Sequence, residues 1–319
     1  MDHRYVLSLP AGIPCPMDMN DTKNILLAGA SGVLGGHITR ALQEHGYTVL
    51  SLGRGAGNDV VADLMDRDQL LRAVEGLTVD TVVHAATALR KAPMRHRDMY
   101  ATDDLRVTGT ANLVAAAQLV GARRMIAESM VFGYGYRDFG DHVLTETDEF
   151  GRGGKGSDVR HLEGMRVKEE LMLNTPGIEG ISLRYGLFYG QGGTESIVEM
   201  LRKRQLPAVN DHGRVLPWIN LADAGAAMAS AVEDGTPGSA YNIVDDGPLG
   251  FGAHVRLVAE TFGTPMPFTV PGALLRPMAY LYEMTRASMR VSNAKAQAEL
   301  GWKPRYSNCA AGLRALAAA

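Results

Sequence analysis

Residues 24–42, "NILLAGASGVLGGHITRAL", decide the fold. A short apolar run ending in glycine reads as a buried strand, and "GGHITRALQEHG" (35–46) has helical spacing through Ile38, Ala41 and Leu42. Between them stand Gly29, Gly32 and Gly35, spaced G-x-x-G-x-x-G. In such a turn the first glycine permits the tight bend, the second lets a pyrophosphate approach the backbone, and the third lets helix and strand pack closely. Ser31, Val33 and Leu34 complete the turn, where free amides and the positive helix end suit phosphate. Glycine-rich turns are common, but at a strand–helix junction this one points to a dinucleotide.

Working outward, "YTVLSLG" (47–53), "VDTVVHAA" (79–86), "RRMIAESMVFG" (123–133) and "IEGISLRYGLFYG" (178–190) read as further strands. "DRDQLLRAVEG" (66–76), "DLRVTGTANLVAAAQLVGA" (104–122) and a stretch around Lys168 read as the helices between them. Strands alternating with helices imply βαβ units, a parallel sheet and right-handed crossovers that cover both faces. Past about residue 186 the pattern loosens into loops such as "QGGTES" and "GTPMPFTVPG". The expected architecture is an α/β doubly wound parallel sheet with a smaller C-terminal substrate lobe. Residues 1–22 read as an N-terminal extension, with Met17 or Met19 as alternative starts. Residues 23–185 form the nucleotide domain, with 216–245 returning to it, and 186–215 and 246–319 form the lobe.

Composition narrows the function. The 319 residues are 46% apolar and carry a net charge of −3 with no basic block, so nucleic acid is not an expected partner. No apolar window is long enough to cross a membrane. Only Cys15 and Cys309 occur, which leaves no disulfide framework and suits the cytoplasm. There is no G-x-S-x-G elbow, no H-E-x-x-H and no cysteine pair for zinc.

An acid about twenty residues beyond the glycine turn would bind the ribose 2′-hydroxyl of NAD. Gly53 and Arg54 stand there instead. A guanidinium can pair with a 2′-phosphate, so NADP is the expected cofactor, with NAD as the alternative.

Taken in order, "GASGVLGG" (29–36), "ADL" (62–64), "VVHAAT" (82–87), "GTANLVAAA" (109–117), "LRYGLFYGQG" (183–192), "INLADAG" (219–225), "YNIVDD" (241–246) and "SNAKAQAELGWKP" (292–304) carry a resemblance. The chain resembles the extended short-chain dehydrogenase/reductase family, in its NAD(P)-dependent epimerase/dehydratase branch, from about residue 23 onward. The resemblance implies a Rossmann-type sheet, with Asp63 and Leu64 against the adenine and Ala85, Ala86 and Thr87 along the cofactor. It implies a homodimer through helices at about 100–120 and 158–174. It also implies a catalytic Tyr-x-x-x-Lys pair, in which lysine binds the nicotinamide ribose and lowers the tyrosine pKa.

Lys168 matches that lysine, but Gly164 holds the tyrosine place. Ser129 is the nearest match to the family's Ser/Thr, with Glu128 and Met130 as alternatives in a loose register. Tyr134, Tyr136 and Tyr189 could supply a relocated proton donor, and Tyr134 is the first choice. His84 reads as a core residue, and "MRHRD" (94–98) as a solvated cationic cluster. Arg202, Lys203, Arg204 and Arg214 could greet phosphate or simply be surface charges. The apolar "PMPFTVPGALLRPMAYLYEM" (265–284) suggests a secondary metabolite more than a sugar nucleotide. The expected activity is an NADP(H)-dependent oxidoreductase acting on a carbonyl or alcohol of a small molecule. The alternatives are an epimerase or dehydratase that recycles its cofactor, and a nucleotide-sensing protein without turnover.

Overall fold

The computed structural model describes residues 23–319, so the N-terminal extension, Met17, Met19 and Cys15 lie outside the described residues. In chain order the first half runs β1 (Asn24–Ala28), α1 (Val33–Glu44), β2 (Thr48–Gly53), β3 (Val60–Val61), α2 (Arg67–Val74), β4 (Thr81–His84), α3 (Tyr100–Asp104), a π turn (Leu105–Gly109), α4 (Thr110–Leu119), β5 (Arg124–Met130), β6 (Asp138–Leu144) and α5 (Asp158–Asn174). The second half runs β7 (Glu179–Tyr185), β8 (Leu187–Tyr189), α6 (Glu195–Arg202), β9 (Ala208–Val209), β10 (Trp218–Asn220), α7 (Leu221–Asp234), β11 (Ser239–Ile243), α8 (Phe251–Thr261), β12 (Thr269–Val270), α9 (Ala279–Arg286), β13 (Ser288–Val291), α10 (Ala294–Glu299) and α11 (Cys309–Ala317).

Seven strands form one parallel sheet in the order β11-β7-β5-β4-β1-β2-β3. Residues 25–28 of β1 are fully buried, as an apolar run between two helical layers must be. One layer packs α1 and α7 on the sheet through Ile38, Leu42, Ala224 and Met228. The other packs α2, α4 and α5 through Leu70, Leu113, Ala116 and Met172. This is a doubly wound Rossmann-type fold. Strand order reverses between β1 and β4, and a crevice at the carboxyl ends of strands there is where such sheets bind ligands.

The expected boundaries are more interleaved than the sequence suggests. Residues 216–245 contribute α7 to the α1 layer and β11 to the sheet edge. β6, however, lies within the range expected for the nucleotide domain yet pairs with β13 of the lobe. Trp302, near the C-terminus, returns to the nucleotide half, where its indole N–H donates to Asp223 O at 3.1 Å. The single strand expected over 178–190 breaks at Gly186, where a Cβ would come within 2.8 Å of Pro217 O; β8 then leaves the sheet to pair with β10. The long helix expected over 104–122 is interrupted by the π turn. No helix among the described residues is long and apolar enough to cross a membrane.

Candidate active site

The glycine turn has the geometry its spacing calls for. Gly29 sits at φ +93°, and a Cβ there would lie 2.7 Å from Ala85 O and the Ala86 backbone, so the turns after β1 and β4 meet. A Cβ on Gly35 would stand 2.1 Å from Gly29 O. Gly32 begins α1 without a side-chain cap, and the first turn holds no acid, so nothing in that turn competes with an anion for the amides of Val33 and Leu34. The Gln191 carbonyl accepts from or faces His37 Nε2 at 2.9 Å, which holds the Gly190–Gly192 loop against α1. These residues fit a dinucleotide diphosphate, because the glycines let the turn close tightly at the start of α1 and the first amides of that helix have no side-chain cap.

Around this turn, Leu64 and Ala85 are buried, Ala86 is half-buried, and Thr87 is exposed with its hydroxyl 3.4 Å from Thr102. Asp63 turns its carboxylate onto its own loop, accepting from Met65 N at 3.0 Å. Arg54 is exposed just past β2. Asp59, the acid in the following loop, is spent on Ser51, accepting from its amide at 2.9 Å and its hydroxyl at 2.7 Å.

Lys168 is almost fully buried on α5 and donates to Glu128 Oε2 at 3.1 Å. Burial holds its pKa below the ordinary lysine value, with Glu128 pulling the other way and Arg106 adding to the depression. Strand alternation turns Ser129 and Glu128 to opposite faces of β5. Ser129 Oγ is buried without a hydrogen-bond partner. Of the three residues weighed for the Ser/Thr position, Glu128 is therefore the one brought to Lys168.

Tyr134 is differently placed from its expected role. It is buried, donates to Asn242 Oδ1 at 2.8 Å and accepts from Arg184 Nη1 at 2.9 Å. Arg184 is in turn clamped by Glu169, with Nε–Oε1 at 3.0 Å and Nη2–Oε2 at 2.7 Å, and stacks on Phe150 at 3.8 Å. Burial pushes the Tyr134 hydroxyl up to about 12 despite Arg184 beside it. The proton of this hydroxyl is engaged with Asn242 in a buried network, a placement different from the open proton-donor position expected of it. Tyr189 is likewise fully buried and donates to Asn308 O at 3.1 Å.

What surrounds Gly164 was not legible in the sequence. A Cβ there would lie 3.5 Å from Asp103 Cα and 3.6 Å from Arg106 Cδ. These are ordinary contact distances, so the stem of Arg106 and the Asp103 backbone are the neighbours of position 164. Arg106 is nine-tenths buried, and Nη1 donates to Asp103 Oδ1 at 3.2 Å. Asp103 Oδ2 is held by His161 Nδ1 at 2.6 Å, and His161 Nε2 by His96 Nδ1 at 3.0 Å. His96 Nε2 reaches Glu283 of α9 at 3.4 Å. Thus His96 of the "MRHRD" cluster is half-buried in a polar chain rather than solvated. Tyr136 and Tyr280 close this pocket, with hydroxyls 3.3 Å apart and rings edge-on to His161. Burial raises the pKa of both tyrosines, so both stay protonated. His84 is buried with its pKa well below normal through desolvation, and its Nε2 lies 3.1 Å from the Thr110 hydroxyl, as a core residue. Lys203 pairs with Glu199 on α6.

The sequence profile of the NAD dependent epimerase/dehydratase family matches residues 25–244. The chain belongs to this family. Within it, a 3-diazoavenalumate denitrifying reductase from a Streptomyces species is 32% identical over 308 residues, covering 91% of this chain and 98% of that protein. A dTDP-glucose 4,6-dehydratase from Streptomyces venezuelae, solved with NAD, has a TM-score of 0.74 at 19% identity, covering 92% of this chain and 96% of that one. A human epimerase family protein solved with NADPH has a TM-score of 0.72 at 15% identity, covering 92% and 99%. At such identity the two structures speak for the fold alone. As a member of the family, the protein is an NAD(P)-dependent enzyme, an oxidoreductase or an epimerase/dehydratase.

Proposed function

We propose that the protein is a cytoplasmic NADP(H)-dependent reductase for a small aromatic metabolite, whose hydride replaces a group that leaves without needing a proton. The carrying observation is Gly164, which offers no phenol one helical turn before the buried Lys168 on α5 and has the Arg106 stem as its neighbour. A ketone reductase must protonate an alkoxide, so it needs an acid beside the reacting oxygen. A diazo group does not. When bound in reduced form, the dinucleotide supplies a hydride that forms the new C–H bond, while the C–N bond breaks with its electron pair leaving in dinitrogen. The likeness to a 3-diazoavenalumate denitrifying reductase supports this class of reaction.

In this reading the amides around Gly29–Gly35 hold the diphosphate, and Arg54 binds the 2′-phosphate that distinguishes NADP. Ala85, Ala86 and Thr87 line the cofactor's path, with Asp63 and Leu64 near the adenine. Lys168 binds ribose hydroxyls, and Glu128 opposes the loss of its charge. Tyr100, Val107 and Val159 remain exposed on the α3–α5 surface, which supports a homodimer there.

The test is an anaerobic incubation with an ortho-hydroxy aryl diazonium and NADPH deuterated at its hydride position. Dinitrogen release with deuterium on the ring carbon is expected, with NADPH binding more tightly than NADH. An inert diazo compound alongside efficient ketone reduction would refute the reading. The non-catalytic alternative fits less well, because a buried Lys168–Glu128 pair is costly to keep without use.

A further inference from the structure

We infer that Arg106 is a substrate-binding residue, which clamps an oxyanion conjugated with the reacting carbon of an aryl substrate. This rests on reading the cleft beside Lys168 as the reductase site.

Position comes first. Arg106 occupies the space beside Gly164, one helical turn from Lys168 on the facing helix. By the family resemblance, that is where a phenol would touch the reacting oxygen.

Availability comes second. Among the described residues, Asp103 is the one hydrogen-bond partner of this guanidinium. Its other N–H groups are not among the buried atoms left unsatisfied, so they face space that solvent or a ligand can enter. Asp103 does not wander, because His161 holds its other oxygen and His96 and Glu283 back up His161. The guanidinium is therefore preorganised by a polar chain reaching α9. It also stands on the π turn Leu105–Gly109, and such turns concentrate at functional sites.

Shape comes third. Tyr136, Tyr280 and His161 set ring edges and faces around the spot, with Tyr136 and Tyr280 5.7 Å apart. Flat rings suit an aryl neighbour, and the one hydroxyl proton left over from the Tyr136–Tyr280 hydrogen bond can be donated to a negative oxygen.

Chemistry then selects the ligand. A guanidinium does not release its proton near neutral pH, so Arg106 cannot act as the missing acid. It can hold a negative oxygen through charge-assisted hydrogen bonds. On an arene whose oxyanion is conjugated with a diazo-bearing carbon, keeping the charge on oxygen leaves that carbon electron-poor and open to hydride.

The probe is 4-nitrophenol, whose phenolate has its own visible band. Added to NADP⁺-loaded protein below the probe's own pKa, it should bind as the phenolate and the band should grow. Arg106→Met should weaken binding by about tenfold or more and abolish the band. Arg106→Lys should retain part of both, and benzoate, whose charge is not on a ring oxygen, should compete poorly. Unchanged probe ionisation in Arg106→Met, or benzoate displacing the probe as well as unlabelled phenolate does, would overturn the assignment. Should Arg106→Met not fold, Gly164→Tyr drives a ring into the same space and should give the same loss; undiminished binding there overturns it too. Because no turnover is measured, probe ionisation without any diazo reduction would sink the proposed reaction and leave the oxyanion clamp standing.

Discussion

Replacing Glu128 with glutamine should destabilise the protein in a pH-dependent way. The Lys168 ammonium is 2% exposed and the Glu128 side chain 15%, at a separation of 3.1 Å. Their attraction is roughly 5 kcal/mol at an effective dielectric of about 20. Partial exposure of the carboxylate screens some of this, and breaking a buried pair costs about 3–5 kcal/mol. About 3 kcal/mol is the expected deficit of Glu128→Gln. The sign with pH follows from Lys168. Burial already holds its pKa below 10.5 in the folded state. Without Glu128 it falls further, so the native state binds fewer protons than the unfolded chain over a wider window, and stability climbs with pH across that window. The deficit should therefore be largest just above the carboxylate range and shrink as pH approaches 10.5. Urea unfolding of wild type, Glu128→Gln, Lys168→Met and the double variant, at a series of pH values, isolates the coupling. A deficit under about 1 kcal/mol, or one flat with pH, would mean a solvated pair of no special consequence.

Other outcomes follow from the same structure. Gly35→Ala forces a methyl to within 2.1 Å of Gly29 O, so the turn must open; calorimetry should show NADPH binding lost, and wild-type affinity would contradict the diphosphate site. Tyr134→Phe leaves Arg184 Nη1 and Asn242 Oδ1 without this partner, which should cost roughly 2–3 kcal/mol in chemical unfolding while leaving turnover of the folded enzyme nearly intact. Burial lifts the Asp245 carboxyl from 3.8 to about 8, so the native state holds this proton where the unfolded chain has lost it. Stability from this group is thus lost as pH rises through that span, with a ceiling of roughly 6 kcal/mol. Asp245→Asn should flatten the decline in melting temperature between pH 3.8 and about 8, and an unchanged decline there would rule out Asp245 as its source.

The nucleotide half of the fold was legible because its signals are local. A strand, three glycines and a helix lie within 21 residues, from Asn24 to Glu44, and each glycine has a steric reason visible in its spacing. Burial of β1 on both faces followed from an uninterrupted apolar run. The pocket beside Gly164 was opaque for the opposite reason. His161 meets Asp103 and His96 across 58 and 65 residues, and nothing in a linear pattern joins them. Helix α5 also buries His161, Lys168 and Glu169 along with Leu162 and Met165, which blurs the apolar stripe that would have shown its inner face. The π turn left no mark in periodicity, so nothing in the sequence set Arg106 apart. Tyr134 reads as available because its segment follows β5 at the carboxyl edge of the sheet, while the partners of its hydroxyl come from β7 and β11, far away in sequence.

The grip of Glu169 on Arg184 and Ser182 has a consequence for its neighbour in sequence. An α-helix advances about 100° per residue around its axis, so fastening one residue to the sheet sets the compass bearing of the next. The aim of Lys168 is inherited from a bolt buried in the fold. Loops of the lobe can then be rewritten for new molecules while the reactive end of α5 keeps its heading.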